Sequence, residues 1–433
     1  MSQQSALDTW LATPTTTLPP WLAAQCQHAR ELVAAQGVPT HRDEAWRYTA
    51  LRRLLAHEFR YAETATPPTA IDDCLINGLD SHRVVLINGR YVPALSDLGA
   101  LPSGVEIASL STVLSQQPER LAGLLTQIAG DGAHVFTALN TASMRDGLVL
   151  LLAPGVVLER PLELVHIAVG LDQPSVCHPR YLIQLGAGAQ ATLIERTIGR
   201  DETLYCTNAV LEIDLAPGAV LNHHRIQLES LQAFHLSGLY LRQAEHSQYT
   251  GVNIGLGSTW ARTDLVAALQ GQGANCTLGG LYLTGSEQLL DYHLDVQHQQ
   301  PHGTSREQFK GILYGKGKAV FDGRVYVAAQ AQKTAAEMTN RNLLLSPNAE
   351  IDTKPQLEIY ADDVQCSHGT TVGQLEPEML FYLRSRGIGE AVARRMLCVG
   401  FAEEIIDTLS PEPLRAMVAE AVGQRLELAQ IED

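Results

Sequence analysis

The sequence predicts a mainly β protein with a parallel β-helix core flanked by helical regions at both ends. Between Gly147 and Gly373, short β-rich segments alternate with Gly, Pro and Asn turns. The tetrapeptide Leu-Ala-Pro-Gly occurs at 152–155 and again at 215–218, and related leucine–glycine corners recur further along. Such self-similarity is typical of stacked solenoid coils. Glycine is frequent, at 35 residues, and aromatic residues make up 6%, which suits tightly stacked strands. A β-sandwich is the competing interpretation because it also needs frequent turns.

The first region, residues 1–145, is predicted to be mainly helical. Helix formers or apolar residues at helical spacing predict helices over 23–36, 42–59 and 114–128. Gly37 is a stop signal for the first of them. β-branched residues around Asn88-Gly89 instead predict a hairpin.

The β-helix core is predicted to span residues 146–372, and the C-terminal helical domain residues 373–433. The core pattern has no long helices between its strands, which argues against a βαβ fold. Three C-terminal helices are predicted to begin near Pro377, Gly389 and Pro411. The apolar residues of the second helix cover more than one face, so it is expected to pack against its neighbours or against another protein.

Charge and cysteine usage exclude several classes of function. The formal net charge is −16, and an acidic surface repels phosphate groups, so we expect neither nucleic acid nor membrane as a partner. The seven cysteines are scattered without CxxC spacing, which argues against a disulfide framework and a self-contained zinc site. The N-terminal sequence lacks signal-peptide features, and no apolar run approaches the roughly 18 residues of a membrane helix. We therefore expect a cytoplasmic protein.

The most informative segment is LEIYADDVQCSHGTTVGQ, residues 357–374. Cys366 and His368 are two residues apart, so an extended strand places both side chains on one face. A thiolate and an imidazole suit a soft or borderline metal, and Asp362 and Asp363 lie near enough to orient the ring. Two ligands make only half a site, so the others would come from elsewhere in the chain or from a partner. On the residues alone, a structural cysteine and a hydrogen-bonded histidine are the simpler explanation.

Three other segments carry weaker signals. HLDVQHQQPH, residues 293–302, has the side chains for a metal site, but polar residues at a solenoid edge are the commoner reason for such a pattern. GKGK, residues 315–318, lacks the full phosphate-loop pattern and is interpreted as a turn between strands. A Gly-Ile-Gly turn leads into a basic helix, where the acidic surroundings favour docking of a protein over DNA. The arginines near this turn are Arg384, Arg386, Arg394 and Arg395.

Longer segments carry a family resemblance. They are HRDEAWRYT, FTALNTASMRDG, HGTSREQFKGILYGKGKAVFDGRVYVAAQAQKTAAEMTNRNLLLS, PQLEIYADDVQCSHGTTVGQL and FYLRSRGIGEAVARRMLCVGFAEEII. Together they resemble the SufB/SufD family of iron–sulfur cluster assembly proteins, most densely over residues 290–406. His368 within CSHG, and an N-terminal region without a cysteine cluster, resemble the SufD branch rather than SufB.

This resemblance implies a right-handed parallel β-helix in a non-catalytic scaffold subunit for cluster assembly and transfer. The scaffold is expected to pair with a SufB-like subunit through the β-helix. The C-terminal helices are expected to dock a SufC-like ABC ATPase, in which ATP hydrolysis takes place. ATP-driven dimerisation of that ATPase would distort the shared interface and expose cluster ligands. The residues expected to contact the partner are Arg384, Arg386, Arg394 and Phe401.

The resemblance also implies that His368, with Cys366 beside it, holds a transient iron–sulfur cluster shared with the SufB-like subunit. No cofactor is expected to bind tightly to the isolated chain. A homodimer is plausible when the chain is alone, because exposed β-helix edges invite strand pairing. Two other functions stay open on the residues alone: a β-helix enzyme acting on carbohydrates, and a purely structural binding module. The enzyme needs paired carboxylates, or a Brønsted base with a calcium site, along one solenoid face, and the sequence shows no such cluster.

Overall fold

The computed structural model describes residues 7–11, 18–62, 67–68, 70–130, 134–200 and 203–429. Its helices are α1 (Pro20–Gln36), α2 (Arg52–Leu55), α3 (Leu110–Gln116), α4 (Val135–Ser143), α5 (Pro377–Ser385), α6 (Glu390–Ile406) and α7 (Glu412–Ala429). The predicted first helix and the three predicted C-terminal helices are therefore confirmed.

Strands occupy most of the chain between these helical ends. The first are β1 (Arg60–Tyr61), β2 (His82–Ile87), β3 (Arg90–Tyr91), β4 (Val105–Ser109), β5 (Gly147–Leu152), β6 (Leu162–Ala168), β7 (Ser175–Cys177) and β8 (Arg180–Leu185). The longer strands that follow are β9 (Gln190–Gly199), β10 (Tyr205–Leu215), β11 (Val220–Leu228), β12 (Phe234–Gln243), β13 (Gln248–Gly255), β14 (Trp260–Leu269), β15 (Asn275–Thr284), β16 (Leu289–His298), β17 (Thr304–Leu313), β18 (Lys318–Val327), β19 (Ala335–Leu344), β20 (Glu350–Ile359) and β21 (Gln365–Gly373).

Successive strands from β8 onward alternate between two sheets. Even-numbered strands follow one another in an 11-stranded sheet and odd-numbered strands in a 10-stranded sheet. Each strand pairs in parallel with the strand one coil earlier, as β16 does with β14 and β17 with β15. This is a parallel β-helix of about eight turns with helical regions at both ends, which confirms the predicted fold class.

Glycine corners hold successive coils in register. Gly155 and Gly218, the last residues of the two Leu-Ala-Pro-Gly repeats, have φ values of 72° and 69°. A side chain there would strain the backbone, so the repeat ends in glycine because the turn requires it. The Gly155 N–H donates to Ala187 O at 2.8 Å, and the Gly218 N–H to Glu245 O at 2.9 Å. The hydrogen-bond ladder therefore continues through the turns from coil to coil.

The β-helix has an apolar interior and two outer faces that other elements partly cover. Alternate residues of each strand point into the lumen, which is filled mainly by apolar side chains. On the 10-stranded sheet, Ala402, Ile405 and Val418 of α6 and α7 pack with Ile254 and Leu281 of the strands. Because both faces of these strands are buried, their sequences lack a simple polar–apolar alternation.

The N-terminal region covers the other sheet and departs from the predicted helices. The predicted helix over 42–59 is wrong: only a 3₁₀ turn at Glu44–Trp46 and the short α2 are helical. Tertiary contacts override helical propensity here. The Arg262 guanidinium carbon lies 3.9 Å from the centroid of the Trp46 ring, and the Thr49 hydroxyl donates to the buried Asp291 carboxylate.

Two further N-terminal predictions have different outcomes. The predicted helix over 114–128 is wrong, because α3 ends at Gln116 and Pro118 opens a 3₁₀ turn. The hairpin around Asn88-Gly89 is confirmed by the antiparallel pairing of β2 with β3. Strand β2 also pairs in parallel with β6, and β4 pairs with β5, so residues before Gly147 contribute to both sheets. Among the described residues, no helix is both long and apolar enough to cross a lipid bilayer.

Candidate functional site

The last coil of the β-helix is more exposed than the coils behind it. Strands β20 and β21 stand at the ends of their sheets, paired with β18 and β19 respectively. Most β20 side chains are half-buried, and every β21 residue is exposed except the half-buried Cys366. The described chain therefore leaves one end of the solenoid accessible, with two unpaired strand edges.

Cys366 and His368 lie on the inner face of β21. In the parallel register, Cys366 is opposite Ala336 and His368 is opposite Met338, and both β19 residues are buried in the lumen. Side chains at paired positions point the same way, so the thiol and the imidazole both face inward at the open end. The structure thus places the two predicted ligands on one face, with His368 exposed.

The surroundings of Cys366 differ from those of His368. Burial raises the pKa of the Cys366 thiol, a backbone hydrogen bond from Ala336 opposes this, and the nearby Glu307 adds to the rise. A cavity of about 480 Å³ runs along the starts of β17, β19 and β21, and Ser305, Ala336 and Cys366 are among its lining residues. The thiol is therefore reachable from outside the coil.

Asp363 has a different partner from the one expected from the sequence. Its carboxylate pairs with the Lys333 ammonium, and the Lys333 N–H donates to Asp363 O at 2.6 Å. These contacts fix the corner that leads into β21. The described residues contain no group of three or more His, Cys, Asp and Glu side chains placed to hold a metal ion.

The predicted partner-binding residues spread over two faces of the C-terminal helices. Arg384 is exposed and pairs with Glu390 at 3.2 Å, while the Arg386 guanidinium stacks 5.3 Å from the Tyr382 ring centroid. Arg394 is half-buried. Phe401 faces the β-helix, where its ring centroid lies 4.4 Å from the ammonium of the buried Lys310.

An exposed apolar surface, the α5–α6 patch, lies beside these arginines. Phe381 is 73% exposed and Tyr382 is 53% exposed, which is unusual for aromatic residues outside a binding surface. The patch consists of Met379, Phe381, Tyr382, Val392 and Met396. Its only signal in the sequence is the run MLFY, whose four consecutive apolar residues exceed what one buried helix face can hold.

The histidines of residues 293–302 do not converge. His293 lies on the outer face, 3.0 Å from Asp291, which raises its pKa against the opposing effect of burial. His298 points into the lumen and its ring hydrogen-bonds the Ser305 hydroxyl at 3.0 Å. His302 forms the following turn, with φ at 61°. The polar character of the segment therefore has separate structural causes.

Comparison with known proteins identifies the family. The family model described as "SUF system FeS cluster assembly, SufBD core domain" matches residues 167–401, and "SufBD protein N-terminal region" matches residues 15–164. The chain belongs to the SufBD family. Its relatives include the iron–sulfur cluster assembly protein SufD of Escherichia coli K12, 35% identical over 92% of each chain.

Other SufBD relatives support the same assignment. The SufBD family protein slr0076 of Synechocystis sp. is 34% identical over 92% of this chain and 90% of its own length. The chloroplastic protein ABCI7 of Arabidopsis thaliana is 30% identical over 95% of this chain and 87% of its own. The chain is thus a SufBD protein of iron–sulfur cluster assembly and a SufD homologue.

Proposed function

We propose that this SufBD chain is a non-catalytic scaffold subunit that assembles and transfers iron–sulfur clusters in a cytoplasmic SufBCD-type complex. The observation that carries the proposal is the exposed His368 beside the half-buried Cys366 on the inner face of the last coil. Iron–sulfur clusters are usually held by four protein ligands. Two ligands at an accessible end therefore suit a cluster whose other ligands come from a second subunit.

The two strand edges at this end supply the contact for that second subunit. Strand β20 has ten residues and strand β21 has nine, so both are long enough for a partner strand to pair along the edge. A SufB-like subunit seated there would face His368 and Cys366 directly. The same edges offer a second copy of this chain a dimerisation surface when the SufB-like subunit is absent.

The α5–α6 patch and its arginines suit the SufC-like ATPase. Exposed aromatic residues flanked by arginine are enriched in the energetic centres of protein interfaces. Helix α5 begins at Pro377, shortly after β21 ends at Gly373, so a force on the helix reaches the strand that carries His368 through a short link. ATP hydrolysis by the partner can thus act on the cluster site without an ATP site in this chain.

The test of the proposal is His368→Ala in the full chain, co-expressed with its SufB-like and ATPase partners in cells that lack the native copy. Because the side chain is exposed, folding and complex formation are expected to stay normal. Iron and acid-labile sulfide in the purified complex, and growth that depends on this system, are expected to fall to background. Cys366→Ser is expected to give a smaller loss.

A matched control is Thr371→Ala on the same strand, three residues on and pointing to the opposite face. It is expected to retain normal iron, sulfide and growth. If His368→Ala supports cluster assembly as well as this control does, the assigned role is wrong.

A further inference from the structure

Glu307 lies on the inner face of β17, in the same column as His368. The parallel register stacks Leu278 of β15, Glu307 of β17, Met338 of β19 and His368 of β21. Strands lie about 4.8 Å apart, so two strands separate Glu307 from His368 by roughly 10 Å between Cα atoms. The carboxyl group thus sits beneath the open end, with one methionine side chain in between.

The carboxyl of Glu307 is buried without adequate partners. The residue is 0% exposed, and neither carboxyl oxygen makes a well-formed hydrogen bond to a described residue. Burial raises the pKa of Glu307 to about 8, although the Ser305 hydroxyl opposes this rise. The carboxyl group is therefore neutral at pH 7. Its burial lowers the stability of the folded chain, because an unpaired carboxyl loses its hydration in the lumen.

Three polar side chains of the same lumen, Tyr282, Asn340 and Asn342, pair with one another, whereas both carboxyl oxygens of Glu307 lack a partner among the described residues. The Tyr282 hydroxyl donates to Asn342 Oδ1 at 2.6 Å, and Asn340 Nδ2 donates to the Tyr282 oxygen at 3.0 Å. Apolar side chains above and below Glu307 show that the column accepts them. An acid at this position therefore breaks a local rule of packing, and such departures are expected at functional sites.

Among the described residues, the charged and titratable groups near Glu307 provide it with no counter-charge. On β15 the Cys276 thiol is buried and its pKa is raised, first by burial and then by Glu307 itself. Across the corner, burial lowers the pKa of His298 to about 4, so that ring is neutral. On the outer face of β19, Glu337 adds a negative charge that raises the pKa of Glu307 further. A cation that enters the lumen end would be the first favourable partner for this carboxyl.

We infer that Glu307 is an additional iron ligand. It is buried in this structure, and it binds ferrous iron alongside His368 when the last coil opens. The inference rests on the proposed function and deepens it by naming a ligand that this chain supplies from within. Met338 separates the two side chains, and its unbranched thioether chain repacks readily. On binding Fe²⁺ the carboxyl releases one proton to water, and the metal charge replaces that proton.

The experiment uses the full chain purified in complex with its SufB-like and ATPase partners. Wild type, Glu307→Gln and His368→Ala are titrated anaerobically with Fe²⁺, and bound iron and acid-labile sulfide are measured after cluster assembly. Glu307→Gln preserves the shape of the neutral acid but has no ionisable oxygen, so Fe²⁺ affinity is expected to fall roughly tenfold or more. Mössbauer spectra of ⁵⁷Fe-loaded complexes are expected to differ from wild type at the affected iron.

The matched control is Glu337→Gln on β19, an exposed glutamate that pairs with Arg306 on the outer face. It is expected to bind iron normally. Normal iron in Glu307→Gln with loss in His368→Ala would overturn this inference alone, whereas normal iron in both variants would overturn the proposed function as well. If Glu307→Gln does not fold, Glu307→Met fills the column as Met338 does, and a normal iron load in that variant would also overturn the inference.

Discussion

Two glutamates in the lumen show how local partners decide the state of a buried acid. Burial alone would raise the pKa of Glu195, but an ion pair with Arg225 at 3.0 Å and a hydrogen bond from His223 at 3.1 Å hold it below its ordinary value. Glu307 has no cationic partner in the part of the chain that the structure describes, and burial raises its pKa. One residue type therefore serves as a charged structural anchor in the middle coils and as a neutral acid near the open end.

Glu307→Gln is expected to change how stability depends on pH. The pKa of Glu307 is about 8 in the folded chain against 4.5 for a free glutamate, so between these values the unfolded chain releases a proton that the folded chain retains. Wild type therefore loses stability as pH rises through this window, and the glutamine variant does not. The free energy of unfolding of the variant minus that of wild type should therefore increase by a few kcal/mol between pH 5 and pH 9. Urea unfolding at both pH values measures this, and a difference independent of pH would contradict it.

Glu195→Gln, in contrast to Glu307→Gln, is expected to destabilise the folded chain. Removal of the carboxylate charge leaves the guanidinium of Arg225 buried without its counter-ion. The free energy of unfolding at pH 7 should fall by about 3–5 kcal/mol. The two variants make the same chemical change in the same lumen, so urea titrations of both at pH 7 compare them directly. A neutral effect at Glu195 would mean that the ion pair is not formed.

At the scale of elements, the α5–α6 patch predicts where the ATPase partner docks. Phe381→Ser removes the most exposed aromatic ring of the patch without disturbing a buried contact. Affinity for the SufC-like ATPase is expected to fall by about 2 kcal/mol, or roughly thirtyfold, as measured by calorimetry. Leu231→Ser, at another exposed apolar position, is the control and should bind normally. Equal affinity of both variants would place the docking surface elsewhere.

The sequence predicts elements well where backbone chemistry dictates them. The Leu-Ala-Pro-Gly corners are predictable because a left-handed turn needs glycine. The C-terminal helices are predictable from Pro377 and Gly389 at their starts. The helix predicted around Trp46 is wrong because the conformation of this segment depends on Arg262, more than two hundred residues away in the chain. Local spacing contains no information about such a partner.

The candidate site was predictable only in part for the same reason. The spacing of Cys366 and His368 fixes their common face on a strand, since side chains alternate. The burial of Glu307 was not predictable, because GTSREQF reads as a solvated polar strand until the register with β15 and β19 shows which alternate residues point inward. The exposed α5–α6 patch likewise depends on which helix faces the β-helix has already covered.

At the scale of the whole molecule, the open end of the β-helix is the surface where a partner subunit is expected to bind. N-terminal residues pack on part of the 11-stranded sheet and α6 and α7 on part of the 10-stranded sheet, whereas β20 and β21 present the unpaired strand edges along which a partner can extend the solenoid. The Gln365 N–H donates to Thr334 O at 2.9 Å, toward the preceding coil. Because N–H groups alternate in direction along a strand, those of Cys366, His368 and Thr370 point toward the free edge.

Thr370→Pro should therefore block assembly without unfolding the chain. Proline removes an N–H that faces the free edge and is tolerated in edge strands, so the bonds between β21 and β19 remain. Association with the SufB-like subunit is expected to weaken at least about tenfold, the equivalent of roughly 1.4 kcal/mol. Co-purification and light scattering measure it, and any homodimer built on the same edges should dissociate in parallel. Thr370→Ala keeps the N–H and should assemble as wild type does. If the proline variant assembles normally, the subunits do not meet along β21, and His368 cannot share a cluster across that edge.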